Sequence, residues 1–112
     1  MADSIFTRII NREIPAKIVF EDDWYIAIED INPQAPVHLL VIPKRPIPTL
    51  NDLAETDAEL VGGMFLLAAG LMRKLGHSDY RTVFNCGGGA GQTVFHLHLH
   101  VLAGRPLTWP PG

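Results

Sequence analysis

Three of the five histidines in the chain fall in one short run, His96-Leu97-His98-Leu99-His100. The surrounding stretch, Phe95–Ala103, alternates perfectly and is rich in strand-favouring residues, which predicts a β-strand. A strand puts His96, His98 and His100 on one face, about 6.6 Å apart, with Phe95, Leu97, Leu99 and Val101 opposite. Each imidazole needs partners for two ring nitrogens, so three in register do not read as ordinary core residues. Near pH 7 a histidine is available both unprotonated, as a nucleophile or ligand, and protonated, as an acid.

Two chemistries fit such a row. One is metal binding, because His-x-His on a strand can supply two ligands to zinc. No Asp or Glu lies on the same strand to orient the rings from a second shell, although a backbone carbonyl can do so. The other is nucleophilic catalysis at phosphorus, in which a neutral imidazole attacks, a phosphorylated histidine forms and water releases the product. The glycine-rich segment Gly87-Gly88-Gly89-Ala90-Gly91-Gln92-Thr93 leads directly into the histidine strand. Its successive N–H groups can form a nest for an anion, and Thr93 offers a hydroxyl. It is neither a P-loop nor a dinucleotide fingerprint, since no Gly-Lys-Ser/Thr follows and a strand comes next.

The elements that must position these groups follow from pattern. Asp3 or Ser4 caps a short helix over Ile5–Asn11, with Ile5, Phe6, Ile9 and Ile10 on its packing side. Ile18–Phe20 and Trp24–Glu29 predict a hairpin around Glu21-Asp22-Asp23. Val37–Pro43 is apolar on both faces and predicts a central strand, with His38 its one polar residue. A capping-box pattern, Thr56-Asp57-Ala58-Glu59, opens a helix that runs to about Lys74 before Gly76 stops it. Between Leu60 and Met72 that helix has no charge, so one side covers the sheet. The other, with Gly62, Gly63, Ala69 and Gly70, either packs tightly in the same core or meets a second copy of the chain. Tyr80–Cys86 predicts a further strand. The fold expected is α+β, a five-stranded, mostly antiparallel sheet with one long and one short helix in a single domain over residues 1–112.

Composition excludes several classes. The net charge is −3 and no Lys/Arg stripe exists to track phosphates, so nucleic acid is not an expected partner. The lone Cys86 excludes an internal disulfide and a cysteine-based zinc site. The uncharged run Leu60–Met72 is shorter than the roughly 20 residues a membrane helix needs, and the start of the chain has no signal-peptide pattern. A cytoplasmic protein with no membrane partner is expected.

His96-Leu-His-Leu-His100-Val-Leu resembles the His-φ-His-φ-His-φ-φ signature of the histidine triad (HIT) superfamily. The rest of the chain is similar to its Hint branch, the purine nucleoside phosphoramidate hydrolases. The similarity runs through Ile5-Phe6, Glu13–Lys17, Asp30-Ile31 to Pro36-Val37-His38, Val41–Lys44, Gly91-Gln92-Thr93-Val94 and Trp109–Gly112.

The resemblance implies a homodimer whose sheets join into one of ten strands. It implies binding of a purine nucleoside monophosphate and hydrolysis of the P–N bond of its phosphoramidates, with no cofactor and no metal. His98 corresponds to the nucleophile, His100 to the histidine that helps move a proton to the leaving amine, and His96 and His38 to supporting members. Thr93 joins them at the phosphate. Asp30 corresponds to the ribose-binding carboxylate. Ile31, Ile5, Phe6 and Ile9 match the walls around the base, and Asn85, Gly91, Gln92 and Thr93 the phosphate contacts. Thr93 stands where many relatives have serine, Gly88-Gly89 replaces bulkier residues, and Leu107-Thr108 falls in a variable tail. A nucleotide-sensing or scaffold protein with incidental hydrolysis is the alternative, since both would share the pocket.

Overall fold

Val37–Pro43 is apolar except at His38, and it becomes the middle of the sheet as strand β3. The computed structural model describes residues 4–112; Asp3, the alternative cap of the first helix, lies outside the described residues. The hairpin forms as β1 (Ile18–Glu21) and β2 (Tyr25–Glu29), with the Asp22 carboxylate accepting the N–H groups of Trp24 and Tyr25 in the turn. Two later strands, β4 (Tyr80–Val83) and β5 (Leu99–Ala103), complete a sheet of order β1-β2-β3-β5-β4, antiparallel at every pairing.

Period-2 alternation gives the sheet two different faces. Leu39 and Val41 of β3, with Leu99, Val101 and Ala103 of β5, face helix α2 (Ala58–Lys74), whose Met64, Ala68, Leu71 and Met72 cover them. Each large apolar side chain buried there contributes roughly 1.5–3 kcal/mol. Leu40 and Ile42 turn the other way, with Ile26 and Ile28, and meet Phe6 and Ile9 of helix α1 (Ile5–Ile10). His38 and His100 occupy this second face, since their registers are even in the same sense: His38 pairs with Leu102 and Leu40 with His100. The short helix and the chemistry therefore share a face.

Three expectations are corrected. The triad strand begins at Leu99, so His96 and His98 lie just before it. Pairing stops at Val41↔Leu99 because Pro43, two residues on, has no N–H to continue the ladder. The N–H of Leu97 goes instead to the carbonyl of Ile47 at 2.7 Å, and Phe95, outside the strand, is exposed. Helix α2 starts at Ala58, after a single 3-10 turn over Glu55–Asp57, and no side chain caps it. Asp57 is buried, accepts the N–H of Ala54 and pairs with Arg45, so the Thr56–Glu59 capping box does not form. The strand expected over Tyr80–Cys86 ends at Val83.

The small residues of α2 divide between the two readings. A Cβ on Gly63 would stand 2.1 Å from Tyr25 Oη, whose hydroxyl donates to the carbonyl of Leu60 at 2.8 Å. Gly63 thus serves packing within the chain, whereas Gly62 and Gly70 face open space. Phe65 and Leu66 on that outer side are exposed. Among the described residues no helix is long and apolar enough to cross a membrane.

Candidate active site

A cavity of about 390 Å³ opens where α1, the end of β2, the start of β5 and the segment Asn85–Val94 converge. Its lining includes Ile5, Phe6, Ile9, Asp30, Ile31, Asn85, Gly91, Thr93, His98 and His100, all singled out from the sequence. One end is apolar and the other carries the imidazoles and Thr93. His96 and His38 stand behind the lining, buried against it.

The proton on each imidazole follows from its partners. His96 Nε2 lies 2.8 Å from the carbonyl oxygen of Pro43, which can only accept, so Nε2 carries the hydrogen. His96 Nδ1 is then an acceptor and faces the hydroxyls of Ser4 at 3.0 Å and Thr7 at 3.3 Å. His98 Nδ1 lies 2.8 Å from the carbonyl oxygen of His96, so Nδ1 donates and Nε2 keeps a free lone pair. No buried side-chain nitrogen lacks a partner among the described residues, and His98 Nε2 has none in the protein, so it opens on the cavity.

The second pair is ordered from the opposite side. The N–H of Gln34 donates to His38 Nδ1 at 3.0 Å, which leaves the His38 hydrogen on Nε2. That Nε2–H donates to His100 Nδ1 at 2.9 Å, with Asp30 Oδ2 3.4 Å away. His100 consequently holds its hydrogen on Nε2. Each ring is thus fixed in one tautomer by a main-chain group or by a neighbour so fixed.

Burial keeps the rings neutral. Desolvation is the largest influence on all four and lowers their pKa values. It is partly offset by Asp30 at His38 and His100, by the Pro43 carbonyl at His96, and by the His96 carbonyl and then Asp30 at His98. His100 is pushed down to about 4 by desolvation and by its neighbours His98 and His38. At neutral pH the site presents one free imidazole lone pair and one Nε2–H donor, with ring centroids 5.1 Å apart.

Ligand atoms of Asp30, His38 and His100 lie within 4.8 Å of one another, a spacing open to a metal ion. The hydrogen bond from Gln34 argues against that use. A ligating histidine normally donates its second N–H outward, whereas His38 accepts there and so holds a proton where the metal would bind. With Gln34 on its Nδ1, His38 does not fit a metal ligand in this cluster.

Two phosphate-side expectations change. The Gln92 side chain is buried and accepts the N–H of Gly87 while donating to the carbonyls of Pro48 and Val94. It staples the loop, with both Nε2 hydrogens on main-chain carbonyls. The N–H groups of Ala90, Gly91 and Gln92 bond to carbonyls of Gly87 and Gly88, so these amides form a turn rather than an anion nest. Gly91 takes φ +95°, which glycine adopts without strain. Ser4, Thr7 and Gln34 touch the histidines without any signal in the sequence: two act from the far end of the chain and one through its backbone.

The sequence profile of the family described as scavenger mRNA decapping enzyme C-term binding matches residues 3–106. A HIT-like protein of Synechocystis is 55% identical over 111 residues, covering 98% of this chain and 97% of the relative. The crystal structure of a HIT family hydrolase from Legionella pneumophila superposes with a TM-score of 0.96 at 49% identity, over 98% of this chain and 100% of that one. A histidine triad protein from Clostridium difficile gives 0.91 at 38% identity, over 96% of each chain. With the imidazole row in place on this fold, the chain belongs to that family, within the histidine triad superfamily.

Proposed function

We propose that the protein hydrolyses the P–N bond of purine nucleoside phosphoramidates through a covalent nucleotidyl-histidine. The observation that carries this reading is the free, cavity-facing Nε2 of His98, aimed by its Nδ1–H on a main-chain carbonyl. The name of the Legionella relative as a hydrolase supports the reaction class. In the first step His98 Nε2 forms a bond to phosphorus as the bond to the amine nitrogen breaks. Negative charge on the bound phosphoryl group favours protonation of the His38–His100 pair, and His100 Nε2–H delivers that proton to the departing amine. Water then attacks phosphorus and gives a proton back to the His38–His100 pair, the P–N bond to His98 breaks, and the nucleoside monophosphate leaves.

The apolar end of the cavity stacks the base between Ile5, Phe6, Ile9 and Ile31. Asp30 accepts the N–H of Asn32 on Oδ1 at 2.8 Å, which holds its carboxylate in place for ribose hydroxyls. Thr93 supplies its hydroxyl to the phosphate. With the amides of Gly87, Ala90, Gly91 and Gln92 engaged within the loop, the Thr93 hydroxyl, Asn85 and His100 supply phosphate contacts on this reading.

The chain works as a homodimer on this reading. Strand β4 is an uncovered edge of four residues, and Phe65 and Leu66 stand exposed on the outer side of α2. Joining two β4 edges makes one ten-stranded sheet and covers both. Leu66→Glu gives a monomer in sedimentation if this face is the interface.

The test of the reaction is His98→Ala and His98→Asn with adenosine phosphoramidate as substrate. Turnover falls by at least about a thousand-fold while nucleoside monophosphate binding is retained. Near-normal turnover in either variant overturns the proposal.

A further inference from the structure

One contact that the proposed reaction does not use joins segments far apart in the sequence. Ser4 and His96 are 92 positions apart, yet Ser4 Oγ lies 3.0 Å from His96 Nδ1. The same oxygen accepts the N–H of Thr7 at 3.1 Å as the N-cap of α1, so its hydrogen remains available to donate. Thr7 Oγ1 lies 3.3 Å from the same ring nitrogen and 3.3 Å from Ser4 Oγ. His96 is 1% exposed, and its Nε2 already donates to Pro43. Nδ1 is therefore a buried acceptor with one lone pair and two hydroxyls facing it.

From this geometry we infer that Ser4 and Thr7 are positioning residues for catalysis: their hydroxyls hold His96 as the neutral Nε2–H tautomer, and His96 in turn aims His98. The link from His96 to His98 is the main-chain carbonyl that accepts His98 Nδ1–H. A ring of His96 turned or protonated at Nδ1 would lose Pro43 or meet the hydroxyls badly, and the carbonyl would move with it. The same helix turn supplies Phe6, whose ring stands edge-on to His96 at 6.0 Å and His98 at 4.9 Å. The cap of α1 thereby ties the wall of the base pocket to the nucleophile. Thr7, at the longer distance, makes the device partly redundant, since it can turn its proton to Nδ1 when Ser4 is absent.

The inference rests on the hydrolase reading for its consequence in turnover, and its test separates the two. Protein labelled with ¹⁵N on the imidazoles is compared as the unsubstituted chain, Ser4→Ala, Thr7→Val, the double variant and Ser4→Thr. Nitrogen shifts, thermal midpoints and turnover of adenosine phosphoramidate are measured across pH. In the double variant the His96 nitrogens move away from the Nε2–H pattern and Nδ1 takes up a proton at higher pH than before. kcat falls about ten-fold while KM stays within about two-fold. Each single variant falls less, and Ser4→Thr restores both the spectrum and kcat.

Unchanged His96 shifts and unchanged kcat in a folded double variant overturn the inference. So does a loss of kcat that follows the thermal midpoint and is not restored by Ser4→Thr. Should the double variant fail to fold, Ser4→Ala against Ser4→Thr carries the same comparison. If the unsubstituted protein leaves phosphoramidates intact, the hydrolase reading fails, and the nitrogen spectrum alone decides whether the hydroxyls set the tautomer.

Discussion

His38 Nε2 stands 2.9 Å from His100 Nδ1, and the N–H of Gln34 on the far side of His38 decides which ring donates. The pair is thus directional, with its last hydrogen on the cavity side of His100. Removing the donor in His38→Ala leaves His100 free to take either tautomer. The expected result is a fall in kcat of about 10- to 100-fold with little change in KM, read by steady-state turnover.

The same arrangement predicts indifference to chelators. His38 carries a proton at the atom where a metal would bind, so dialysis against EDTA is expected to leave turnover and the thermal midpoint unchanged. Elemental analysis of the purified protein provides the independent check.

Acid should weaken the fold through the buried rings. In the unfolded chain a histidine takes up its proton near pH 6.5, whereas His100 does so only at about 4 and the other three below their ordinary value. Between these limits the unfolded state binds more protons, so stability is complete above about pH 6.5 and declines as pH falls towards 4. His100, the most strongly lowered of the four, dominates this loss, which is read as a fall in Tm across that window. Because His98 also titrates low, kcat/KM should stay level at neutral pH and drop on an acid limb with its midpoint below 6.5.

Gln92 holds three main-chain groups at once. Gln92→Leu keeps the volume but strands the N–H of Gly87 and two carbonyls, each an uncompensated loss of about 1 kcal/mol or more. Faster hydrogen exchange at Gly87–Thr93 and a raised KM are expected.

Gly63→Ala brings a methyl group against Tyr25 Oη. The helix must shift or the tyrosine must leave the carbonyl of Leu60, at a cost of about 1–3 kcal/mol. Tyr25→Phe in the same chain removes the nearest atom, so the two substitutions together should cost less than the sum of each alone. Chemical denaturation of the four proteins measures that coupling.

Much of the fold was legible because single segments declared themselves. Val37–Pro43 is apolar on both faces and is the central strand; the uncharged Leu60–Met72 lies in the long helix. The boundaries were less so. The ends of β5 and α2 depend on a proline in another strand and on an aspartate that pairs with Arg45, and neither is a local signal. At the site, the residue types that line the cavity could be named in advance. Their division of labour could not, because it is set by main-chain atoms of Gln34, Pro43 and His96. Side-chain pattern says nothing about which carbonyl is left over.

Pro43 shows what such a leftover can do. By ending the ladder it leaves its own carbonyl without a strand partner, and that oxygen is the one that orients His96. The histidine site therefore sits at a seam, with rigid cross-strand pairing on one side and irregular peptide on the other. The pairing keeps the frame still, and the irregular stretch before Leu99 lets His96 and His98 each find a separate anchor. A sheet running unbroken through residue 96 would have matched the sequence pattern better and been chemically poorer.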